Sequence, residues 1–500
     1  MSHSRIIAQN TIFLYIRTLF IMLISIYTSR VLLDKLGIDN YGIYNLVGGV
    51  VATFTSLRGV FAQSIQRFLN YEKGLGNNEK VREIFSISLY IHILLGVIFS
   101  IIVVLFGDLY IPKYLVLPTA SLEAAMFVFY MSIFTAVIGI ITIPYDSVII
   151  ANEKFDFFAI NSILEAISKL GILYLLFIGN DTLKTYAILI TIVTVFFRLT
   201  CIVYTIRFAE CKLKVIWNKS IFKELLSFSG WNFLGNTAYS LTNEGINFII
   251  NIFGGVTANA ARGLAYQVKN AVIQLSSNIG IASRPHITEA VTWQKKEIIF
   301  NYIIIVSKMM FLIISLTALP LLTYTEHVLN FWLKEVPPNT IIFVQLVIVH
   351  LVIRSPETGI DILFAAYNKM RDYQILQSSI LFLSLPLAYV LLKNGYPLYW
   401  AFISMIWIEL FTLISVVLCA SKKLGFPLGK YTKEFFIRAT ILSIQLCVIG
   451  FIFNRFVLSN NILLIMAFSI IEVAIAFGIA TMYYISHDEK KILISLIHRI

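Results

Sequence analysis

YGIYNLVGGVVATFTSLRGVFAQSIQRFLNY, residues 41–71, is the stretch on which the fold turns. It is apolar and longer than the about 20 residues that cross a bilayer as a helix. Yet Arg58 stands near its middle. An arginine at that depth costs about 2.5–3.5 kcal/mol on insertion scales unless it faces protein or a wet cavity. One turn away on its helical face are Thr55 and the small Gly59 and Ala62 rather than a wall of leucines. The segment therefore reads as a membrane helix that turns a cation into the protein.

Composition extends that reading to the whole chain. Its 500 residues are 58% hydrophobic and 13% charged, with a mean hydropathy of +0.84, where soluble domains carry about 25% charge. Apolar runs of membrane-spanning length follow one another, and fourteen spans are expected between residues 11 and 485. The expected fold is an all-α polytopic membrane protein. The net charge of +12 is spread over short loops, heavily on alternate sides of the spans: Lys73, Lys80, Arg82, Lys212, Lys214, Lys219, Lys422 and Lys423 on one side, few beyond Lys35, Lys113 and Lys184 on the other. That asymmetry is orientation information and argues against nucleic acid as a partner; it places both termini in the cytoplasm. Cys201, Cys211, Cys419 and Cys447 form no CxxC and no His-associated cluster, so neither a disulfide framework nor a metal site is expected. The first apolar run is too long for a signal-peptide core and is read as the first span.

The chain repeats itself. Asp146, Ala151 and Lys154 recur as Asp361, Ala366 and Lys369, and the spacing from Gly37 to Gly42 recurs from Gly255 to Ala260. Six spans per unit is an even number, so the halves enter the membrane in the same sense, as parallel repeats of alternating-access transporters do. The expected organisation is an N-lobe at 1–207, an amphipathic cytoplasmic linker at 208–228, a C-lobe at 229–419, and a further pair of spans with a tail at 420–500.

Charges inside the spans carry the functional reading. Arg17, Arg30, Arg58, Lys169 and Arg198 fall in N-lobe spans, against Glu165 as the one clearly intramembrane carboxylate there. Glu165 and Lys169 are spaced i,i+4 in the favourable order for a same-face pair. The C-lobe is more balanced: Arg262, Lys269, Lys308 and Arg354 stand against Glu244, Glu357, Asp361 and Glu409. Arg354 and Glu357, i,i+3 neighbours, are expected to pair, and His92 and His350 are expected to be packed neutral side chains. An excess of arginine suits an anionic cargo, phosphate above all, because the guanidinium fork donates paired hydrogen bonds and stays charged. Arg58, Arg30, Arg17, Arg262 and Lys269 are the candidate cargo-binding residues. Glu244, amid Asn236, Thr237, Ser240, Asn243 and Asn247, is a candidate for Na+ or H+ coupling. Asp146, Asp361, Glu165, Lys169, Arg354 and Glu357 read as gate or structural residues. No Walker A loop, HExxH or GxSxG is present, so no enzymatic chemistry and no cofactor are expected.

Two segments carry a family likeness: LGIDNYGIYNLVGGVVATFTSLRGVFAQSIQRFLNYEKG (36–74) and SFSGWNFLGNTAYSLTNEGINFIINIFGG (227–255). With the two six-helix lobes and basic linker they resemble polysaccharide-unit flippases of the Wzx type, in the multidrug/oligosaccharidyl-lipid/polysaccharide exporter superfamily. The resemblance implies a V-shaped cavity between lobes in a bacterial inner membrane. It implies transfer of undecaprenyl-pyrophosphate-linked oligosaccharide between leaflets, for surface polysaccharide such as O-antigen or capsule, with a polymerase and glycosyltransferases as neighbours. It also places Arg30, Arg58 and Arg262 at the positions of cavity arginines in the lipid II flippase, and gives the last span pair a groove for the lipid tail. A cation-coupled drug antiporter of the same superfamily, or a non-transporting scaffold for polysaccharide assembly, is the alternative.

Overall fold

A computed structural model describes the backbone except residues 1–2, 56–57, 119–120, 209–210, 212–217, 293–295, 368, 457–460 and 486–500. Among side chains it also leaves aside 3–16, 50–60, 223–234, 275–292 and a few single positions. The described chain is helical, as its composition requires: in lipid only a helix or a closed barrel satisfies every backbone N–H and C=O within itself. Among the described residues nine helices are long and apolar enough to cross a membrane, and a bent pair, Thr340–Arg354 with Glu357–Ala366, makes a tenth. Two longer helices, described below, are each kinked into two limbs.

The chain divides into two compact units, Met1–Gly263 and Leu264–Ile500. Unit 1 holds α1 (His3–Thr55), α2 (Arg58–Gly74), α3 (Asn78–Tyr114), α4 (Leu122–Ile141), α5 (Ile143–Ala151), α6 (Phe155–Gly171), α7 (Thr182–Thr205) and the first part of α8 (Lys219–Thr292). α6 runs on through a 3-10 stretch, Ile172–Ile178. Helix starts are capped where the sequence offers a short polar side chain: Asn77 accepts from the Lys80 N–H, and Asp181 from those of Leu183 and Lys184. α1 packs on α4 and α6, α4 on α3 and α7, and α2 on α3 and α5. Ile65, Leu69, Ile84, Phe85 and Val148 form a buried cluster there, and Ile221 from the start of α8 packs onto it. Of the linker, residues 209–210 and 212–217 lie outside the described residues. On α3 the large side chains left exposed, Leu94, Ile98, Ile102, Leu105 and Leu109, recur every three or four positions. That stripe is the face a bilayer would cover.

α1 and α8 break at the same place in the repeat. Gly37 (φ 75°, ψ 169°) and Gly255 (φ 65°, ψ −169°) take a conformation all but closed to L side chains, and each turns a long helix into a hairpin. Across the first hairpin the side chains of Tyr41 and Ser29 are hydrogen-bonded. Across the second, Asn259 donates to the Asn247 side chain at 2.8 Å. These pairs are the same two positions, 218 residues apart in sequence. The hairpins also touch, twice at equivalent residues and once not. Thr257 donates to Asp39 at 3.2 Å, Gly263 lies against the Asn45 side chain, and Gly42 lies against the Val256 carbonyl.

Unit 2 holds the rest of α8, α9 (Lys296–Thr323), α10 (Thr325–Trp332), α11 (Thr340–Arg354), α12 (Glu357–Ala366), α13 (Met370–Phe382), α14 (Ser384–Lys393), α15 (Trp400–Leu424), α16 (Leu428–Tyr431), α17 (Ile437–Phe456) and α18 (Ile462–Tyr483). α15 packs on α11, α13 and α14, while α9 is flanked by α11, α12, α17 and α18. The last pair of spans therefore leans on α9. The fourth and tenth spans are both broken, α4 from α5 at Thr142 and α11 from α12 at Ser355–Pro356. The breaks fall just before Asp146 and Asp361, the residues that marked the repeat.

Candidate functional site

Unit 1 gathers three cations and two carboxylates in its interior. α5 carries Asp146, α6 Glu165 and Lys169, α7 Arg198 and α1 Arg17. Arg198 donates to Glu165 at 2.7 Å and lies 3.4 Å from Asp146, with all three side chains nearly buried. Lys169 reaches the other oxygen of Glu165 at 2.7 Å. Arg17 lies over the Phe158 ring, 4.6 Å from its centroid, within electrostatic reach of Glu165 and Asp146. The Nε of Arg17 is buried with no hydrogen-bond partner. The Glu165–Lys169 pair is the one its spacing suggests. Arg198, which single-helix reading leaves without a partner, is held from two other helices. Asp146, which reads as a residue of a cytoplasmic helix end, points into that network. With one more cation than anions, the cluster keeps an excess positive charge.

A second grouping sits where the hairpins meet. Arg262 is buried and donates to the Asn243 carbonyl at 2.7 Å, and its guanidinium lies 4.0 Å from Glu244. Asn247 donates to Glu244 at 3.0 Å. Gly49 lies against the Glu244 carboxylate, which a Cβ at this position would press on. Glu244 is thus a counter-ion of Arg262 as well as a candidate coupling residue. Beside it runs a ladder of buried asparagines: Asn259 bonds to Asn247 and Asn251, and Asn251 both donates to the Val116 carbonyl and accepts from its N–H. These side chains satisfy the backbone left open where α3 ends.

Arg30 is half-buried on α1, and among the described residues no carboxylate pairs with it. The Arg58 side chain lies outside the described residues; its backbone opens α2. Within unit 1, Arg17 therefore joins the Asp146–Glu165–Arg198 network, Arg262 joins Glu244, and Arg30 stands apart from both.

Unit 2 carries its own buried polar cluster. His350 Nε2 is 3.1 Å from Glu409, and Arg354 lies 3.9 Å from the same carboxylate. Glu357 accepts from the Tyr373 hydroxyl at 3.0 Å and from Gln377 at 2.9 Å. Lys269 is buried over the Tyr266 ring at 4.6 Å and within electrostatic reach of His350. Arg354 thus reaches a carboxylate on α15. His350 has a carboxylate partner, whereas His92 is packed as its apolar surroundings suggest, with Nδ1 2.6 Å from the Ser88 carbonyl. Sequence reading passed over Glu472, fully buried in the middle of α18, whose Oε1 accepts from Thr323 at 2.7 Å. Its signal was the lone charged residue of a 22-residue, otherwise largely apolar helix.

Comparison with solved structures gives the fold its relatives. The chain is similar to an inward-facing multidrug resistance MATE family transporter of the MOP superfamily (TM-score 0.70, 14% identity, covering 83% of this chain and 96% of that one). It is similar to the lipid II flippase MurJ in an inward closed conformation (TM-score 0.69, 12% identity, 94% and 98%). A MOP superfamily transporter from Pyrococcus furiosus matches at TM-score 0.57 and 13% identity, over 83% and 96%. At such identities the likeness is one of fold. No curated protein sequence matches the chain. A family model described as polysaccharide biosynthesis protein matches residues 7–291, more than half of the 500. The chain is a multi-pass membrane protein of the polysaccharide biosynthesis protein family, with a fold similar to those of a MATE family transporter and the lipid II flippase MurJ.

Proposed function

We propose that this protein flips an undecaprenyl-pyrophosphate-linked oligosaccharide across a bacterial inner membrane by alternating access, supplying surface polysaccharide, O-antigen or capsule. The observation that carries this reading is the surplus of membrane-embedded arginine in unit 1. Arg30 has no carboxylate against it among the described residues, and the Arg17–Asp146–Glu165–Lys169–Arg198 network retains one cation beyond its anions. A desolvated arginine attracts a diphosphate far more strongly than it would in water, and its fork fits the paired oxygens. Arg58, Arg30, Arg17, Arg262 and Lys269 are the residues we assign to the pyrophosphate. Asp146, Asp361, Glu165, Lys169, Arg354 and Glu357 hold or gate the helices that carry them. The lobes are 1–207 and 229–419, joined by the linker 208–228 and followed by 420–500, with both termini cytoplasmic. The lipid tail stays in the membrane, and the glycosyltransferases and polymerase of the same polysaccharide are the expected neighbours.

The fold shared with a multidrug transporter favours a second reading, a cation-coupled drug antiporter. One substitution series separates them. In a cell that depends on this protein for surface polysaccharide, Arg58→Ala and Arg58→Glu are expected to abolish display, and Arg58→Lys to retain part of it, since a point charge replaces a fork. Undiminished display in the first two removes the pyrophosphate role, and drug resistance on overexpression supports the antiporter.

A further inference from the structure

We propose that the ends of α13 and α15 in unit 2 form a docking site for an anionic membrane phospholipid. Its phosphates are held by Lys369, Arg371, Lys422 and Lys423, and its acyl chains lie on the apolar faces of the two helices. Lys369 and Arg371 stand at the start of α13, Lys422 and Lys423 in the last turn of α15. The two helices pack side by side. Lys423 reaches Asp372 at 2.7 Å, which brings the two basic ends to one place. All four cations are exposed, and Asp372 is the one carboxylate in stretches 369–372 and 422–423. Along the span from these cations each helix presents an apolar stripe. On α15 Trp407, Phe411, Ile414 and Leu418 recur every three or four positions, 41–63% exposed, and lead to Lys422 on the same face. On α13 Ile375 and Phe382, 48% and 39% exposed, share a face with Arg371. An apolar stripe that ends in cations matches a molecule whose long apolar part ends in an anion.

The repeat separates this site from the ordinary basic edge of a membrane protein. Lys369, Arg371, Asp372, Lys422 and Lys423 correspond to Lys154, Asp156, Phe157, Arg207 and Phe208 of unit 1. There the same junction is closed by rings: Phe157 stacks on Tyr204 with centroids 3.6 Å apart, and Arg207 lies over the Tyr204 ring at 3.6 Å. At these positions unit 1 sets two cations against one acid, unit 2 four against one. So large an excess suits a headgroup with more than one phosphate. The Arg371 fork fits paired phosphate oxygens, and the lysines act as point charges. Basic pockets between membrane helices hold such headgroups. The proposed cargo also carries phosphate. Arg262 and Lys269, which are assigned to it, are buried, whereas the cations of α13 and α15 are exposed, where the far more abundant membrane phospholipid meets them first. A headgroup bridging the two helices adds a second tie to the Asp372–Lys423 pair.

The test uses the purified full-length protein in detergent and measures no transport, so its outcome is independent of the flippase reading. Binding is followed by native mass spectrometry and by the midpoint of thermal unfolding. The probes are cardiolipin, with two phosphates, phosphatidylglycerol, with one, and zwitterionic phosphatidylcholine. Cardiolipin is expected to bind tightest and to raise the midpoint, with an affinity that falls as salt is raised. Phosphatidylcholine should do neither. The triple variant Lys369→Gln, Arg371→Gln, Lys422→Gln leaves Lys423 to hold Asp372. It should bind cardiolipin about 100-fold more weakly, roughly five-fold for each cation lost. Arg207→Gln, at the corresponding junction of unit 1, should bind it as the wild type does. A triple variant with wild-type affinity overturns the proposal, as does an equal loss in Arg207→Gln or equal binding of phosphatidylcholine. Undecaprenyl diphosphate displacing cardiolipin at equal concentration would assign this surface to the cargo and overturn it too. Should the triple variant not fold, the wild type decides: cardiolipin affinity indifferent to salt overturns the proposal equally.

Discussion

Arg198→Met is expected to destabilise the protein by about 3–5 kcal/mol, the usual cost of removing one partner from a buried ion pair. The arginine is bonded to Glu165 and stands 3.4 Å from Asp146. Lys169 remains to hold Glu165, but buried Asp146 loses the guanidinium beside it. The loss should appear as a large fall in the midpoint of unfolding in detergent. Adding Asp146→Asn should return most of it, because the remaining penalty is the uncompensated anion rather than the missing contact. Arg198→Lys should fall between, since an ammonium cannot bond in a fork to carboxylates on two helices. A single variant as stable as the wild type would show that the network is not what joins α5, α6 and α7.

Gly42→Val should be nearly as damaging, for a steric reason. A Cβ at Gly42 would run into the carbonyl of Val256, which is backbone and cannot step aside as a side chain can. Overpacking of this kind costs about 1–3 kcal/mol and more where the obstacle is rigid. The crossing of the two hairpins depends on this contact. The expected result is a sharp drop in folded, membrane-extracted protein. Two glycines serve as controls. Gly139→Ala meets nothing within 4 Å and should be tolerated, and Gly263→Ala meets only the Asn45 side chain, which can move. Equal damage at Gly42 and Gly139 would remove the close crossing as the explanation.

Much of the fold was legible because the bilayer imposes rules that act on single segments. Apolar length marked the spans, whereas Gly37 and Gly255 were read only as part of a recurring spacing, and their hairpin turns came from the structure. The Glu165–Lys169 pair was legible for the same reason, since both partners lie on one helix. Partnerships between helices were not. Nothing in the sequence around Arg198 announces Asp146, 52 residues earlier, and nothing around His350 announces Glu409, 59 residues later. The i,i+3 spacing of Arg354 and Glu357 pointed to a pair on one surface, whereas the arginine reaches a carboxylate on α15. Glu472 escaped because acids were weighed lobe by lobe, and it lies in the span pair outside both.

The bends at Gly37 and Gly255 have a consequence in stereochemistry. At both positions a side chain would meet nothing within 4 Å, so the glycine is required by handedness alone and not by lack of room. An L-alanine there should strain the turn by about 1–3 kcal/mol. A D-alanine, introduced by semisynthesis, prefers the mirror-image region in which these residues already sit. It should be accepted without strain, and by narrowing the freedom of the unfolded chain it should add about 0.4–1 kcal/mol of stability. Opposite responses to two enantiomers of one methyl group would identify chirality as what bends these helices.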